Sequence, residues 1–249
     1  MSSEIIIGIH SVANALKNPM RKIVKLFLNE EGKVELQKKY NLQAKNFPSE
    51  VLKNHILQET AKKLFEANEH KFSRIPTGLV LETSPLEEYD INWLYTQVEK
   101  PAPLKILCLD QVTDVHNGGA IFRTAAFYGV NIILLPEKGS FGLSPGFYRI
   151  SSGAREFIQI VRINSFPKII NKLQDKGVEV VALSEHAEQS LEHLEPMNKH
   201  RLLILGAEET GISHALLRIV KKQMRIEPKG QIESLNVSVA AAVAMQKCF

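Results

Sequence analysis

The chain has 249 residues, 44% of them hydrophobic, and carries 31 Lys and Arg against 27 Asp and Glu, a net charge of +4. That length accommodates two modest α/β domains, each with its own core, while only two cysteines, Cys108 in an apolar run and Cys248 next to the last position, exclude a disulfide framework or a thiolate metal site. No apolar run nears the roughly 18 residues of a membrane span, and MSSEIIIGIH lacks the charged-then-apolar order of a secretory signal, so the expectation is a cytoplasmic protein with neither membrane nor metal partner.

In chain order, IIIGIHSVANALKNP predicts a short strand and a helix stopped by Pro19, and IVKLFLN a second strand. Residues 48–70 read as helical and TGLVLET as a strand, together a small α/β domain over residues 1–85. Residues 86–103 are acidic, hold the single Trp and close on Pro101 and Pro103, which suits an interdomain connection. From 104 to 249 a regular alternation follows: strand LKILCLD, a helix from Asn117 to Tyr128, strand NIILL, a loop EKGSFGLSPGFY, and then a short helix and strand in REFIQIVRI. Helix FPKIINKLQDKG, strands VEVVALS and RLLILGAE, helix ISHALLRIVKK, strand QMRIEP and a terminal helix from Leu235, capped by Ser234, complete it. Solidly apolar strands alternating with helices imply a parallel sheet covered on both faces.

Ligands in such sheets bind beyond the carboxyl ends of the strands. Three loops there are unusual: DQVTDVHNGGAIFRTAAFYG with Asn117 and Arg123, LILGAEETGIS with Glu208, and IEPKGQIESLN with Ser234 and Asn236. Each joins glycines, which admit a ligand to the backbone, with a few polar side chains. Taken singly, each also has a bland reading: Asn117, Ser234 and Asn236 as helix caps, Arg123 as a snorkelling arginine, and Gly206, Glu208 and Gly211 as an ordinary turn. The G-x-G-x-x-G of a nicotinamide-binding sheet, the P-loop, the G-x-S-x-G elbow, HExxH and His/Cys pairs at metal spacing are all missing. What remains is a metal-free group transfer, with a doubly wound dehydrogenase-like enzyme as the rival.

HNGGAIFRTA, LLILGAEETGIS and IEPKGQIESLNVSVAAAV, with SSGAREF between the first two, resemble in sequence and order the motifs of the SpoU-type RNA ribose 2′-O-methyltransferases of the TrmH family and SPOUT superfamily. The resemblance covers essentially all of 104–249. GIHSVANAL, the strand after it and HKFSRIPTGLV are similar, more loosely, to the small L30e-like substrate-binding domain of members that act on large-subunit ribosomal RNA. The tripeptide HKF departs from the HQG often found there.

The resemblance implies an α/β fold with a trefoil-knotted C-terminal methyltransferase domain preceded by an L30e-like N-terminal domain, and a homodimer formed through the knotted domain. It implies methyl transfer from S-adenosylmethionine to the ribose 2′-oxygen of a guanosine in 23S rRNA. The alternatives are a tRNA 2′-O-methyltransferase of the same family and a non-catalytic RNA-binding protein with the same fold. Carried over by motif, Arg123, Asn117, Glu208, Ser234 and Asn236 form the catalytic set, and Leu205, Gly206, Ala207, Gly211, Ile226, Ser234, Leu235 and Asn236 hold the cofactor. Arg123, Arg149 and Arg155, with the lysines of residues 17–25, are the expected RNA contacts. An arginine, with a pKa above about 12, is better suited to clamping phosphate than to acting as a general base.

Overall fold

The computed structural model describes residues 3–72, 74–232 and 234–249. Ser73, inside HKFSRIPTGLV, and Glu233, inside the third motif, lie outside the described residues. The chain divides into two compact units: the described residues up to Glu87 together with Gly142–Glu156, and Glu88–Phe141 together with Phe157–Phe249.

The first unit opens with strand β1 (Glu4–Ile7), helix α1 (Ile9–Lys17) and strand β2 (Ile23–Leu28). Helix α2 (Glu30–Tyr40) is not anticipated by the sequence reading, because only Gly32 and Leu36 in it are buried and its polar surface shows no apolar stripe. Asn29 starts it by accepting from the Gly32 amide at 2.7 Å. The segment read as one helix over 48–70 is a short strand β3 (Ser49–Val51) followed by α3 (Asn54–Ala67). Strand β4 (Leu79–Thr83) completes a sheet of order β1-β4-β2-β3, antiparallel except between β2 and β3. Helix α3 buries Leu57, Ala61 and Phe65, one stripe at four-residue spacing, against Ile5, Ile7 and Val80.

The later part of this unit is α6 (Pro145–Ser151), capped by Ser144, which starts inside the segment read as a loop. A buried polar cluster holds α6 and the 3-10 turn Ala154–Glu156 in place. The Arg21 guanidinium, fully enclosed, pairs with Glu156 at 2.8 Å and with Glu4, and donates to the Ser84 carbonyl at 2.7 Å. The Tyr148 hydroxyl donates to Glu4, and burial followed by the Glu4 charge pushes its pKa well up.

The second unit begins at Glu88, within the segment 86–103 expected to be a connection, and opens with a helix, α4 (Ile91–Gln97), whose Leu94 is buried in the core with Val98 just beyond its end. The parallel sheet runs β7-β6-β5-β10-β8-β11-β9, from β5 (Lys105–Leu109), β6 (Ile132–Pro136), β7 (Gln159–Ile163), β8 (Glu179–Leu183), a two-residue β9 (Gln189–Ser190), β10 (Arg201–Leu205) and β11 (Lys222–Arg225). Among the described residues its strands pair in parallel throughout, as the apolar strands require.

On one face of this sheet, α7 (Phe166–Asp175) buries Phe166, Ile169, Ile170 and Leu173 against Ile106, Ile132 and Leu202. Helix α5 (Val115–Phe127) packs on the terminal helix α9 (Val237–Cys248), which also meets β10. Helix α8 spans only His214–Leu217, shorter than the apolar pattern of ISHALLRIVKK suggests. The terminal helix starts at Val237 rather than at Leu235, and its cap is Asn236, not Ser234. The Asn236 side chain accepts from the Ser238 amide at 2.9 Å, which satisfies the first turn from a position two residues later. The last turn is pinned by buried Arg201, which donates to the Cys248 carbonyl at 2.9 Å and pairs with Glu179.

Candidate functional site

Three strand-to-helix loops meet at the carboxyl end of the parallel sheet. After β5, Asp114 caps α5 by accepting from the amides of His116 and Asn117 at 2.7 and 2.9 Å. The capping role therefore belongs to Asp114. The Asn117 side chain, inside the first helical turn, is left for other work, and its amide donates to Glu208 at 3.2 Å. From the third loop the Asn236 side-chain amide donates to the same Glu208 oxygen at 3.2 Å and to the Asn117 side-chain oxygen (Oδ1) at 3.1 Å. The Asn236 oxygen is itself occupied by the Ser238 amide and hydroxyl. Asn117, Glu208 and Asn236, one from each motif, thus form a closed hydrogen-bonded triangle, in which the carboxylate accepts two amide donors on one oxygen.

Beside it lies a cavity of about 520 Å³, within the roughly 300–1,000 Å³ common for small-molecule sites. Leu205, Gly206, Ala207, Glu208, Gly211, Ile226, Ser234 and Leu235 line it, while Asn236 stands in the triangle and not among the lining residues. The second loop is folded tightly on itself: Ala207 and Gly211 exchange both backbone hydrogen bonds at 3.0 Å, with Gly211 at a φ of 64°. A Cβ on Gly206 would stand 2.1 Å from the Gly211 carbonyl carbon, so only glycine fits. Asp110, 5% exposed at the end of β5, accepts from the Ser213 amide at 2.7 Å and fastens the far end of that loop.

Asp110, and the cavity-lining Ser184, His214 and Lys229, have no signature in the sequence reading. A lone carboxylate ending an apolar strand is the one clue to Asp110.

The arginines separate. Arg123 is exposed on α5, beside a shallow surface formed with Phe127, Phe157 and Ala242, outside the triangle. Arg149 is exposed on α6, in the first unit. Arg155 is 2% exposed, and its guanidinium donates to the Glu87 carbonyl at 3.1 Å. This corrects its assignment as an RNA contact: a buried guanidinium engaged with backbone carbonyls cannot present its charge to a phosphate. Among the described residues no group of three or more His, Cys, Asp and Glu could hold a metal ion, and no helix is long and apolar enough to cross a membrane.

Known proteins are similar to this chain in sequence or in fold. The 23S rRNA (guanosine-2′-O-)-methyltransferase RlmB of Pseudomonas aeruginosa is 34% identical over 170 residues, 68% of this chain and 68% of the relative. That of Coxiella burnetii is 27% identical over 241 residues, 96% of this chain and 92% of the relative. The crystal structure of an AdoMet-bound rRNA methyltransferase from Sinorhizobium meliloti superposes with a TM-score of 0.73 at 22% identity, covering 99% of this chain and 86% of that one, a likeness of fold. The model of the SpoU rRNA Methylase family matches residues 105–246, more than half of the sequence and all three loops of the site, and the chain belongs to that family.

Proposed function

We propose that the chain transfers the methyl group of S-adenosylmethionine to the ribose 2′-oxygen of a guanosine in 23S rRNA. The observation that carries this reading is the convergence of Asn117, Glu208 and Asn236 at the rim of a cavity built by the same three loops. S-adenosylmethionine supplies an electrophilic methyl carbon bound to a sulfonium sulfur. The chain's own residues have two tasks: to place the 2′-oxygen in line with that carbon, and to accommodate the proton the oxygen loses.

The cavity suits the cofactor chemically. Gly206 and Gly211 bring backbone groups to its wall, Leu205, Ile226 and Leu235 offer apolar contacts to an adenosine, and Ser234 and Glu208 offer polar ones. The triangle holds the Glu208 carboxylate and the Asn236 amide in one geometry, so the nucleotide meets a preorganised polar edge. Arg123, whose planar guanidinium matches phosphate geometry, clamps a phosphate of the same nucleotide.

A division of labour goes with this reading: the first unit engages the RNA and the second, which holds all three loops of the site, forms the knotted methyltransferase domain, with residues 86–103 leading from one to the other and lending Leu94 and Val98 to the second core. Action on ribosomal RNA supports a cytoplasmic location. We also propose a homodimer through the second unit. Phe127 at 82%, Phe157 at 60% and Val239 at 50% exposure are large apolar side chains that a second copy would cover.

Calorimetric titration with S-adenosylmethionine, S-adenosylhomocysteine and NADH in parallel tests the cofactor assignment. Binding of the first two alone is expected; binding of NADH alone would overturn it in favour of the dehydrogenase-like rival.

A further inference from the structure

The first unit carries an exposed cluster that the chemistry of the cavity does not use. His10 and Lys17, seven residues apart, share one face of α1. The Tyr40 hydroxyl, from the last residue of α2, hydrogen-bonds the His10 ring, and the two rings meet edge to face with centroids 5.9 Å apart. The Lys17 ammonium stands over the Tyr40 ring, 5.2 Å from its centroid. Arg149 joins from α6: its α-carbon lies 3.6 Å from where a Cβ on Gly8 would stand, two residues before His10. The buried Arg21–Glu156–Glu4–Tyr148 cluster and the bond from the Ser11 hydroxyl to the Tyr148 carbonyl hold α6 against the start of α1.

Lysines of this unit divide into those matched by a carboxylate, Lys25 with Glu50, Lys33 with Glu30, Lys39 with Glu35 and Lys62 with Glu66, and exposed ones, such as Lys22, Lys53 and Lys63, with no such partner among the described residues. Lys17 and Arg149 belong to the second group, and Lys17 in addition stands over an aromatic ring. A cation over the half-buried Tyr40 ring, the exposed His10 ring beside it and a second cation packed at the start of α1 suit a ligand with both spaced negative charges and flat aromatic groups. Single-stranded nucleic acid has both, and proteins bind it through cations on its phosphates and rings on its splayed bases.

We propose that His10, Lys17, Tyr40 and Arg149 form one RNA-gripping face, in which Lys17 and Arg149 contact phosphates and the Tyr40–His10 pair receives an unpaired base. It rests on the reading of the chain as an RNA-modifying enzyme. Arg149 is then an RNA contact of the first unit, although it lies between the first and second motifs in sequence.

The test uses the full chain, filter binding of a labelled 23S rRNA transcript over a range of KCl concentrations, and titration of S-adenosylhomocysteine as a control on the cavity. Lys17→Glu and Arg149→Glu are each expected to weaken RNA binding about tenfold and to reduce the log–log salt slope by about 1. Tyr40→Ala should weaken it about tenfold with the slope retained, since stacking releases no counterions. Lys63→Glu, on the exposed side of α3, should change it less than about twofold, and all four variants should keep the wild-type affinity for S-adenosylhomocysteine.

RNA affinity unchanged in both charge reversals would overturn the proposal and leave the face to another kind of partner, such as an acidic protein. A Lys63→Glu loss as large as theirs would overturn it as well, since only overall charge would then matter. A wild-type chain that binds the transcript through these residues but ignores S-adenosylhomocysteine would support this face while sinking the methyl-transfer reading.

Discussion

Asn236 donates to Glu208 at 3.2 Å, and the two come from loops 28 positions apart. Neither group could hold its orientation alone, since both are exposed side chains. Asn117 on the carboxylate and Ser238 on the amide remove that freedom.

Asn236→Ala therefore disorders the acceptor edge while sparing the cavity wall. The expected result is a methyl-transfer rate about 100-fold lower, the size of effect that misplacing a reacting group by an ångström produces, with affinity for S-adenosylhomocysteine within about threefold of wild type. Single-turnover kinetics and calorimetry measure the two separately. A loss of cofactor affinity as large as the loss of rate would contradict the division between triangle and cavity.

Gly206→Ala tests the wall itself. The added Cβ would meet the Gly211 backbone at 2.1 Å, and backbone cannot swing aside. Overpacking of this kind costs about 1–3 kcal/mol, so a lower melting temperature and at least a tenfold weaker S-adenosylhomocysteine complex are expected. A variant that binds as tightly as wild type would show that the Ala207–Gly211 turn opens when the cofactor enters.

Much of this site was legible in the sequence, because its polar residues stand in short loops beside glycines: Asn117, Glu208 and Asn236 are where motif order puts them. Supporting contacts were not. Asp110 and Ser213 are 103 positions apart, and nothing local announces their bond. Burial of Arg155 is a tertiary fact, invisible in SSGAREF. Helix α2 leaves no apolar stripe to read, because its Asn29 cap and lysine–glutamate pairs stabilise it instead. Ser234 and Asn236 suit the terminal cap equally well by residue type, and only the backbone distinguishes them.

Glu179 anchors the C-terminal end. Although burial alone would raise its pKa, hydrogen bonds and charges from Lys222 and Arg201 hold it below the usual carboxylate range. A depressed folded value means its contribution is fully present above the ordinary carboxylate pKa and is lost as pH falls through the depressed one. Glu179→Gln leaves the Arg201 guanidinium, 1% exposed, without its counterion, which should cost about 3 kcal/mol at pH 7. Urea unfolding should show that cost shrinking at pH 3, and an equal cost at both pH values would contradict the ionic account.

Burial also governs the two thiols. It pushes Cys248 up to about 12 and, with Asp110 nearby, Cys108 well above its usual range. A thiol-specific disulfide reagent at pH 8 should modify neither in the native protein and both in guanidinium. Rapid native reaction of Cys248 would show that the last turn of α9 is not held by Arg201.

The exposed face of α5 makes a prediction about assembly. Phe127→Glu places a charge where a second copy would bury an aromatic ring, so light scattering should find a dimer in wild type and a monomer in the variant. A wild-type monomer would remove the dimer from the account.

The most direct test of the central claim is transfer of tritiated methyl from S-adenosylmethionine to unmodified 23S rRNA, with the product digested to nucleosides. The account predicts label in 2′-O-methylguanosine with the wild-type chain and about 100-fold slower labelling with Asn236→Ala. Label on a base, or none on RNA from a chain that binds S-adenosylhomocysteine, would contradict it.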